Sequence, residues 1–141
     1  MAVTIINGER FAGVEFSSVS DVSSNGYFLG ETSKSSLLRV DQGQRSAKLA
    51  GVKYWEHKAF EPSGGERGPD HYVRVVMLVS GGPWRQRVWN NLTGESVEVR
   101  LNAPGDFMAW KPGMSHQWWP EGAATMVTVS FISEAFATTL P

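Results

Sequence analysis

The chain has 141 residues, which fits one domain with a substantial hydrophobic core, and we treat residues 1–141 as a single unit. Its formal net charge of −1 argues against a binding surface for nucleic acid or for an anionic membrane. The absence of cysteine excludes disulfides, thiolate metal ligands and cysteine nucleophiles. No stretch resembles a signal peptide or a membrane span, so we expect a cytoplasmic protein with a small-molecule ligand.

Residues 1–50 are predicted to form short N-terminal strands joined by turns. Apolar runs near residues 4–6, 27–29 and 37–40 indicate three such strands. Between them, Asn25-Gly26 is typical of a tight hairpin turn, because both residue types tolerate positive φ.

The strand pattern becomes stronger after residue 51. Residues 52–60 alternate in part, and an irregular, Gly- and Pro-rich loop follows over 61–70. The β-branched run at 71–80 is the strongest strand in the sequence. Residues 84–90 are predicted to form the next arm of a hairpin.

The remaining chain continues in the same way. In the strand predicted over residues 96–101, Val97, Val99 and Leu101 face inward. Ser133 is predicted to cap one helical turn near the C-terminus. Short strands separated by Gly/Pro turns predict an all-β sandwich or barrel. The other strands predicted in this half cover residues 106–110, the stretch from 116 and residues 123–132.

One stretch in this half has a family resemblance. It opens with Gly105-Asp106, continues through a short apolar strand and a turn at Gly113, and then reaches His116. This order resembles the second conserved motif of the cupin superfamily. The frame of the first cupin motif is similar to the segment between Gly64-Gly65 and Gly81. The resemblance implies a cupin-like jelly-roll barrel and, as in many small cupins, a homodimer.

The first motif bears on metal binding. In cupins it supplies two histidines and a glutamate, which hold a divalent metal together with the histidine of the second motif. Counted along this frame, the second histidine falls at His71, the first at Pro69 and the glutamate near Arg74. A cation in place of a carboxylate disfavours a metal, so no metal is predicted. The alternative is one divalent metal on an unusual set of donors: His71, His116, Glu66 and Asp70.

Strand periodicity predicts which side chains share a pocket. If Arg74 faces inward, Tyr72, Val76 and Leu78 lie on the same face, and His116 and Trp118 share a face that excludes Trp119. A guanidinium suits an anionic or carbonyl oxygen. Two of the six tryptophans are expected to contact the ligand, whereas His57, between charged neighbours, is expected to be exposed. The predicted site has His116 and Tyr72 as catalytic residues, and Arg74, Trp118, Asp70 and His71 as substrate-binding residues.

A second resemblance concerns function. The run from Leu101 to Pro104, followed by Pro112 and His116, is similar to that of the sugar 3,4-ketoisomerases of deoxysugar pathways. Those enzymes resemble metal-free cupins in which histidines move protons beside a ketone. We therefore predict a metal-independent isomerase, epimerase or cyclase that uses His116 as general acid/base on a sugar-like or polyketide-like molecule. Two alternatives stay open: a non-catalytic cupin that binds a carbohydrate or another small molecule, and a metal-dependent cupin.

Overall fold

The computed structural model describes residues 3–39, 47–61 and 65–133. Within these ranges the chain forms nine β-strands and one short helix. No helix of these residues is long and apolar enough to cross a membrane. The helical turn predicted after Ser133 lies outside the described residues. In chain order the elements are β1 (Thr4–Gly8), β2 (Val14–Ser18), α1 (Val19–Val22), β3 (Ala47–His57), β4 (Val73–Gly81), β5 (Trp84–Asn90), β6 (Ser96–Leu101), β7 (Asp106–Trp110), β8 (Met114–Pro120) and β9 (Ala124–Ser133).

The strands form two antiparallel sheets. One has the order β1-β6-β5-β8, and the other has the order β2-β7-β4-β9-β3. Both N-terminal strands pair with strands from the second half of the chain, β1 with β6 and β2 with β7. The predicted all-β architecture is confirmed.

Apolar side chains from both sheets form a core between the two layers. Val97, Val99 and Leu101 on β6 are fully buried there, as the alternation of that strand predicts. Val76 and Leu78 on β4 and Trp110 on β7 belong to the same cluster. Removing this apolar surface from water is the main stabilising term, at about 25 cal/mol per Å².

A second apolar layer covers the outer face of the five-stranded sheet. The segment formed by residues 19–39 lies over that face and buries Leu37 and Leu38. Strand β7 is therefore buried on both faces, which explains the apolar run from Phe107 to Trp110. The sheet residues in this layer are Val73, Val75, Phe107, Ala109 and Phe131.

In the N-terminal third the predicted turn is present, but two of the three predicted strands are not. Asn25 and Gly26 have φ angles of 53° and 84°, and a bridge between Ser24 and Tyr27 closes the predicted hairpin turn. The prediction of strands at residues 27–29 and 37–40 was wrong within the described residues. The backbone there is irregular, and the side chains of Phe28, Leu29, Leu37 and Leu38 pack on the outer face of the five-stranded sheet. Strand β2 was missed.

Candidate functional site

A cavity of about 790 Å³ opens between the two sheets. Its walls come from the inner faces of β3, β4, β5, β7, β8 and β9 and from the loop that precedes β4. The structure brings the six residues of the predicted site to this one cavity, where their roles remain predictions: Asp70, His71, Tyr72, Arg74, His116 and Trp118.

The loop before β4 is fixed against the edge of β8 by backbone hydrogen bonds. Arg67 and His116 exchange two of them, with N–O distances of 2.9 and 2.8 Å, and the amide of Asp70 donates to the carbonyl of Met114 at 2.8 Å. A side chain at Gly68 would be blocked, since its Cβ would lie 2.9 Å from the Cα of Ser115. This close approach places Asp70 directly beside His116.

Asp70 and His116 form a buried pair at the base of the cavity. Nδ1 of His116 lies 2.8 Å from Oδ2 of Asp70, and the side chains are 11% and 6% exposed. An ionised carboxylate can only accept, so Nδ1 carries the proton in this pair. In the neutral tautomer with Nδ1 protonated, Nε2 of His116 carries the lone pair, and this atom is not among the fully buried unpaired atoms of the described residues. This is the arrangement of a general base.

Other groups hold the Asp70 carboxylate in its ionised form. The indole N–H of Trp110 donates to Oδ2 at 2.9 Å, and Nε of Arg74 lies 3.0 Å from Oδ1 as an ion pair without good hydrogen-bond alignment. Burial raises the pKa of Asp70, but the hydrogen bond and charge of His116, the Trp110 N–H and the Arg74 charge outweigh it, so the pKa is lowered from its ordinary value of 3.8. Asp70 is thus held in place by three neighbours, with its side chain only 6% exposed.

Cations and aromatic rings face each other around the opening. Arg74 lines the cavity on the same face of β4 as Val76, and its guanidinium lies 5.7 Å from the ring centre of Tyr72. Arg67 lies 5.7 Å from the ring centre of Trp118. With Lys53 the lining has three cations against the two carboxylates of Asp70 and Glu61, and this small excess of positive charge suits an anionic ligand.

Gln86 adds a buried donor that the sequence did not suggest. The indole N–H of Trp84 donates to Oε1 of Gln86 at 2.8 Å, and this fixes the orientation of the amide. Nε2 of Gln86 is buried and has no hydrogen-bond partner among the described residues. Strand pairing sets Gln86 opposite Trp118 on the cavity wall. An unpaired buried donor of this kind costs stability, and within the described residues nothing offsets that cost.

His57 also lines the cavity, so the prediction that it is exposed was wrong. Its side chain is 11% exposed and lies on the inner face of β3 with Lys53 and Trp55. The apolar residues Val52 and Tyr54 alternate with this set and are 61% exposed. The period-two pattern of β3 was present in the sequence. The more polar face of the strand nevertheless points inward, because it faces a cavity rather than the core.

The tryptophans divide into two groups. Trp89 and Trp119 are not part of the cavity lining, and each lies under an arginine, with Arg87 4.5 Å and Arg85 5.0 Å from the respective ring centres. The other four tryptophans line the cavity, and the prediction that two tryptophans contact the ligand stays a prediction. The cavity-lining tryptophans are Trp55, Trp84, Trp110 and Trp118.

The donors around His116 do not fit a divalent metal. Nδ1 of His116 and Oδ2 of Asp70 bind each other, and the Arg74 guanidinium lies beside Oδ1. Over residues 3–39, 47–61 and 65–133 no three His, Asp or Glu side chains converge on one point. A metal site needs three or four convergent donors free of a competing cation, so we derive no chemistry through a metal.

Two solved structures resemble this chain. The dTDP sugar isomerase of Desulfovibrio desulfuricans G20 is 12% identical, with a TM-score of 0.52 over 95% of this chain and 86% of that one. Streptomyces albus HEPD, solved with 2-hydroxyethylphosphonate and Fe(II), is 18% identical, with a TM-score of 0.51 over 62% of this chain. The match spans only 19% of the length of HEPD.

The chain has a cupin-like fold. At these identities the likeness to both structures concerns the fold alone. No protein-family model matches the sequence, and no curated protein matches it significantly. The evidence for a function therefore lies in the residues of the cavity.

Proposed function

We propose that this cupin-like chain is a metal-independent isomerase that acts on a nucleotide-linked keto sugar. The observation that carries the proposal is the buried Asp70–His116 pair, which binds Nδ1 of the imidazole and leaves Nε2 for a ligand in the cavity. The likeness to a dTDP sugar isomerase supports the choice of substrate, and the cationic walls suit the phosphates of such a ligand.

The reaction would proceed by proton transfer next to a carbonyl. Nε2 of His116 removes a proton from the carbon beside the ketone. The electron pair of that C–H bond forms a C=C bond, and the π pair of the carbonyl moves to its oxygen. Arg74 or the phenol of Tyr72 stabilises the oxygen as it gains negative charge. Return of the proton to the neighbouring carbon, with transfer of the hydroxyl proton, completes the isomerisation without any net change in composition.

Each remaining predicted residue has a role in this scheme. Asp70 holds His116 in the tautomer that leaves Nε2 basic, so it is a positioning residue as well as part of the cavity wall. Trp118 stacks against the sugar or the base of the nucleotide. His71, exposed at the loop, contacts the ligand at the entrance.

The direct test is turnover of a dTDP-linked 4-keto hexose, followed by NMR, by wild type and by His116→Asn. The asparagine amide can still donate to Asp70 but offers no base, so turnover should fall by roughly 10²- to 10⁴-fold. Arg87→Gln, outside the cavity, is the matched control and should keep wild-type turnover.

Binding separates this proposal from a non-catalytic module. If wild type binds dTDP in calorimetry but converts none of the keto sugars offered, the chain is a binding cupin and the proposal fails. If His116→Asn keeps wild-type turnover, His116 is not the base.

We also propose that the chain forms a homodimer through the outer face of β3. This edge strand exposes Leu49, Val52 and Tyr54, each by more than 60%. Light scattering should report two chains per particle for wild type and one for Val52→Lys, because a lysine would put charge into an apolar contact. A monomeric wild type would contradict the proposal.

A further inference from the structure

Two of the three cations of the cavity lining share a wall with a carboxylate. Nε of Arg74 lies 3.0 Å from Oδ1 of Asp70. Lys53 is on the inner face of β3, and at the end of that strand Oε2 of Glu61 lies 3.0 Å from Nδ1 of His57. The positive charges of Arg74 and Lys53 are therefore offset by the two carboxylates of the lining.

Arg67 is the third cation of the lining, and no carboxylate of the described residues forms an ion pair with it. Its backbone is fixed beside the proposed base. The amide of Arg67 donates to the carbonyl of His116 at 2.9 Å, and the amide of His116 donates back at 2.8 Å, which makes a short antiparallel bridge. The side chain itself is exposed, so a ligand can reach the guanidinium.

Trp118 contacts both Arg67 and His116. Cζ of Arg67 lies 5.7 Å from the ring centre of Trp118. The rings of Trp118 and His116 are stacked, with their centres 5.9 Å apart and their planes 22° from parallel. The free cation and the proposed base are thus at most one indole apart, on the same side of the cavity.

A nucleotide-linked keto sugar carries its groups in a matching order. The diphosphate is bonded to the anomeric carbon, and the carbonyl carbon of a 4-keto sugar lies at the opposite side of the six-membered ring. A sugar ring placed along Trp118 therefore brings its carbonyl towards His116 and its diphosphate towards Arg67. The fork of N–H donors on a guanidinium suits phosphate oxygens.

We propose that Arg67 is a specificity-determining residue that binds the diphosphate of the substrate, so that the cavity takes nucleotide-linked sugars in preference to free, neutral sugars. This inference rests on the proposed isomerase function. Arg67 anchors the substrate and takes no part in the proton transfers. The diphosphate supplies the negative charge that the described residues do not provide beside Arg67.

Calorimetry with dTDP and with thymidine tests the assignment, because the two ligands differ only in the diphosphate. Arg67→Gln should weaken dTDP binding at least roughly tenfold, the lower end for a hydrogen bond between charged groups. Wild type should bind thymidine more weakly than dTDP by at least the factor that Arg67→Gln loses. Added salt should weaken dTDP binding more in wild type than in Arg67→Gln, since an exposed charge is screened.

Two further variants show whether the effect belongs to Arg67. Arg87→Gln is the matched control, because Arg87 also lies over an indole, that of Trp89, but outside the cavity lining. It should bind dTDP as wild type does. Lys53→Gln should lose less affinity than Arg67→Gln, since Glu61 lies at the end of the same strand.

Turnover gives a second readout that a purely structural role would not produce. With the dTDP-linked keto sugar, Arg67→Gln should raise KM roughly tenfold and leave kcat within about threefold of wild type, because an anchor binds the ground state and the transition state equally. A fall in kcat at constant KM would place Arg67 in the chemical step and contradict its role as an anchor.

The outcomes separate the anchor from the isomerase proposal. A chain that converts no keto sugar, but whose dTDP affinity depends on Arg67, keeps the anion site and loses the isomerase function. An active enzyme in which Arg67→Gln keeps wild-type KM and dTDP affinity would overturn the anchor alone. The anchor also fails if Lys53→Gln or Arg87→Gln loses as much affinity, or if wild type binds dTDP no better than thymidine.

Discussion

His116 and His57 make nearly the same hydrogen bond, at 2.8 and 3.0 Å from Nδ1 to a carboxylate oxygen, yet the two pairs are held very differently. Asp70 also accepts from Trp110 and lies against Arg74, and it is enclosed by a loop paired to β8. Glu61 is at the rim, in the turn that follows an edge strand. The surroundings of the carboxylate, rather than the imidazole itself, decide whether a pair is rigid and dry or open to water.

Asp70→Asn should have the largest effect on stability. Asparagine cannot accept from both Trp110 and His116 while pairing with Arg74, so a loss of about 1.5–3 kcal/mol in the free energy of unfolding is expected. Urea unfolding at pH 7 measures it. Glu61→Gln should change the same quantity by less than about 0.5 kcal/mol, as for an exposed pair. Equal losses of unfolding free energy in the two variants would show that the two carboxylates contribute equally to stability.

The same contrast has a pH dependence. The pKa of Asp70 is lowered in the folded state, so its contribution to stability is complete above the ordinary value of 3.8 and is lost as the pH falls through the folded-state pKa. The difference in unfolding free energy between wild type and Asp70→Asn should therefore shrink as the pH is lowered below about 4. Thermal unfolding between pH 7 and pH 3 measures this difference, and a constant gap would contradict the assignment.

Removing a single donor to Asp70 should have a smaller effect. Trp110→Phe keeps a ring beside His116 but loses the N–H, at a cost of about 1 kcal/mol. Trp89→Phe is the matched control, since its indole N–H donates to the exposed Asn91. Calorimetric melting should separate the two variants, and an equal loss in both would mean that the Trp110 bond contributes nothing specific.

Substitutions in the His57–Glu61 pair should reduce stability least. His57→Gln removes the imidazole from its contact with Trp84, which is worth about 0.5–1 kcal/mol in aromatic pairs. Chemical denaturation should detect at most that loss. A loss above about 2 kcal/mol in the free energy of unfolding is typical of a core residue, and it would show that His57 has mainly a structural role.

Much of the framework followed from local sequence. The observed bounds of β5, β6 and β7 match the prediction because Gly- and Pro-containing turns bracket each strand and because residues alternate cleanly along β6. The same alternation puts Arg74 on one face with Tyr72 and Val76, and all three line the cavity, although the sequence left open which face of β4 points inward.

The chemistry of the site was harder to predict, since it depends on distant pairing. Asp70 reaches His116 only because a loop is hydrogen-bonded along β8, a contact between residues 46 positions apart. His57 was misjudged because its charged neighbours suggested a solvent face. No local signal distinguishes a solvent face from the wall of a wet cavity, and strand order alone decides between them.

The pairing of the N-terminal strands with the second half of the chain also shapes how the protein is made. Strand β2 cannot find β7 until the ribosome has added nearly ninety more residues, which takes on the order of 5–20 s at usual rates of synthesis. During that interval Leu37, Leu38 and their neighbours have no sheet to cover. A newly synthesised chain therefore spends seconds in a form that chaperones can bind, and the cavity forms only after β9, which supplies part of its wall, has been made.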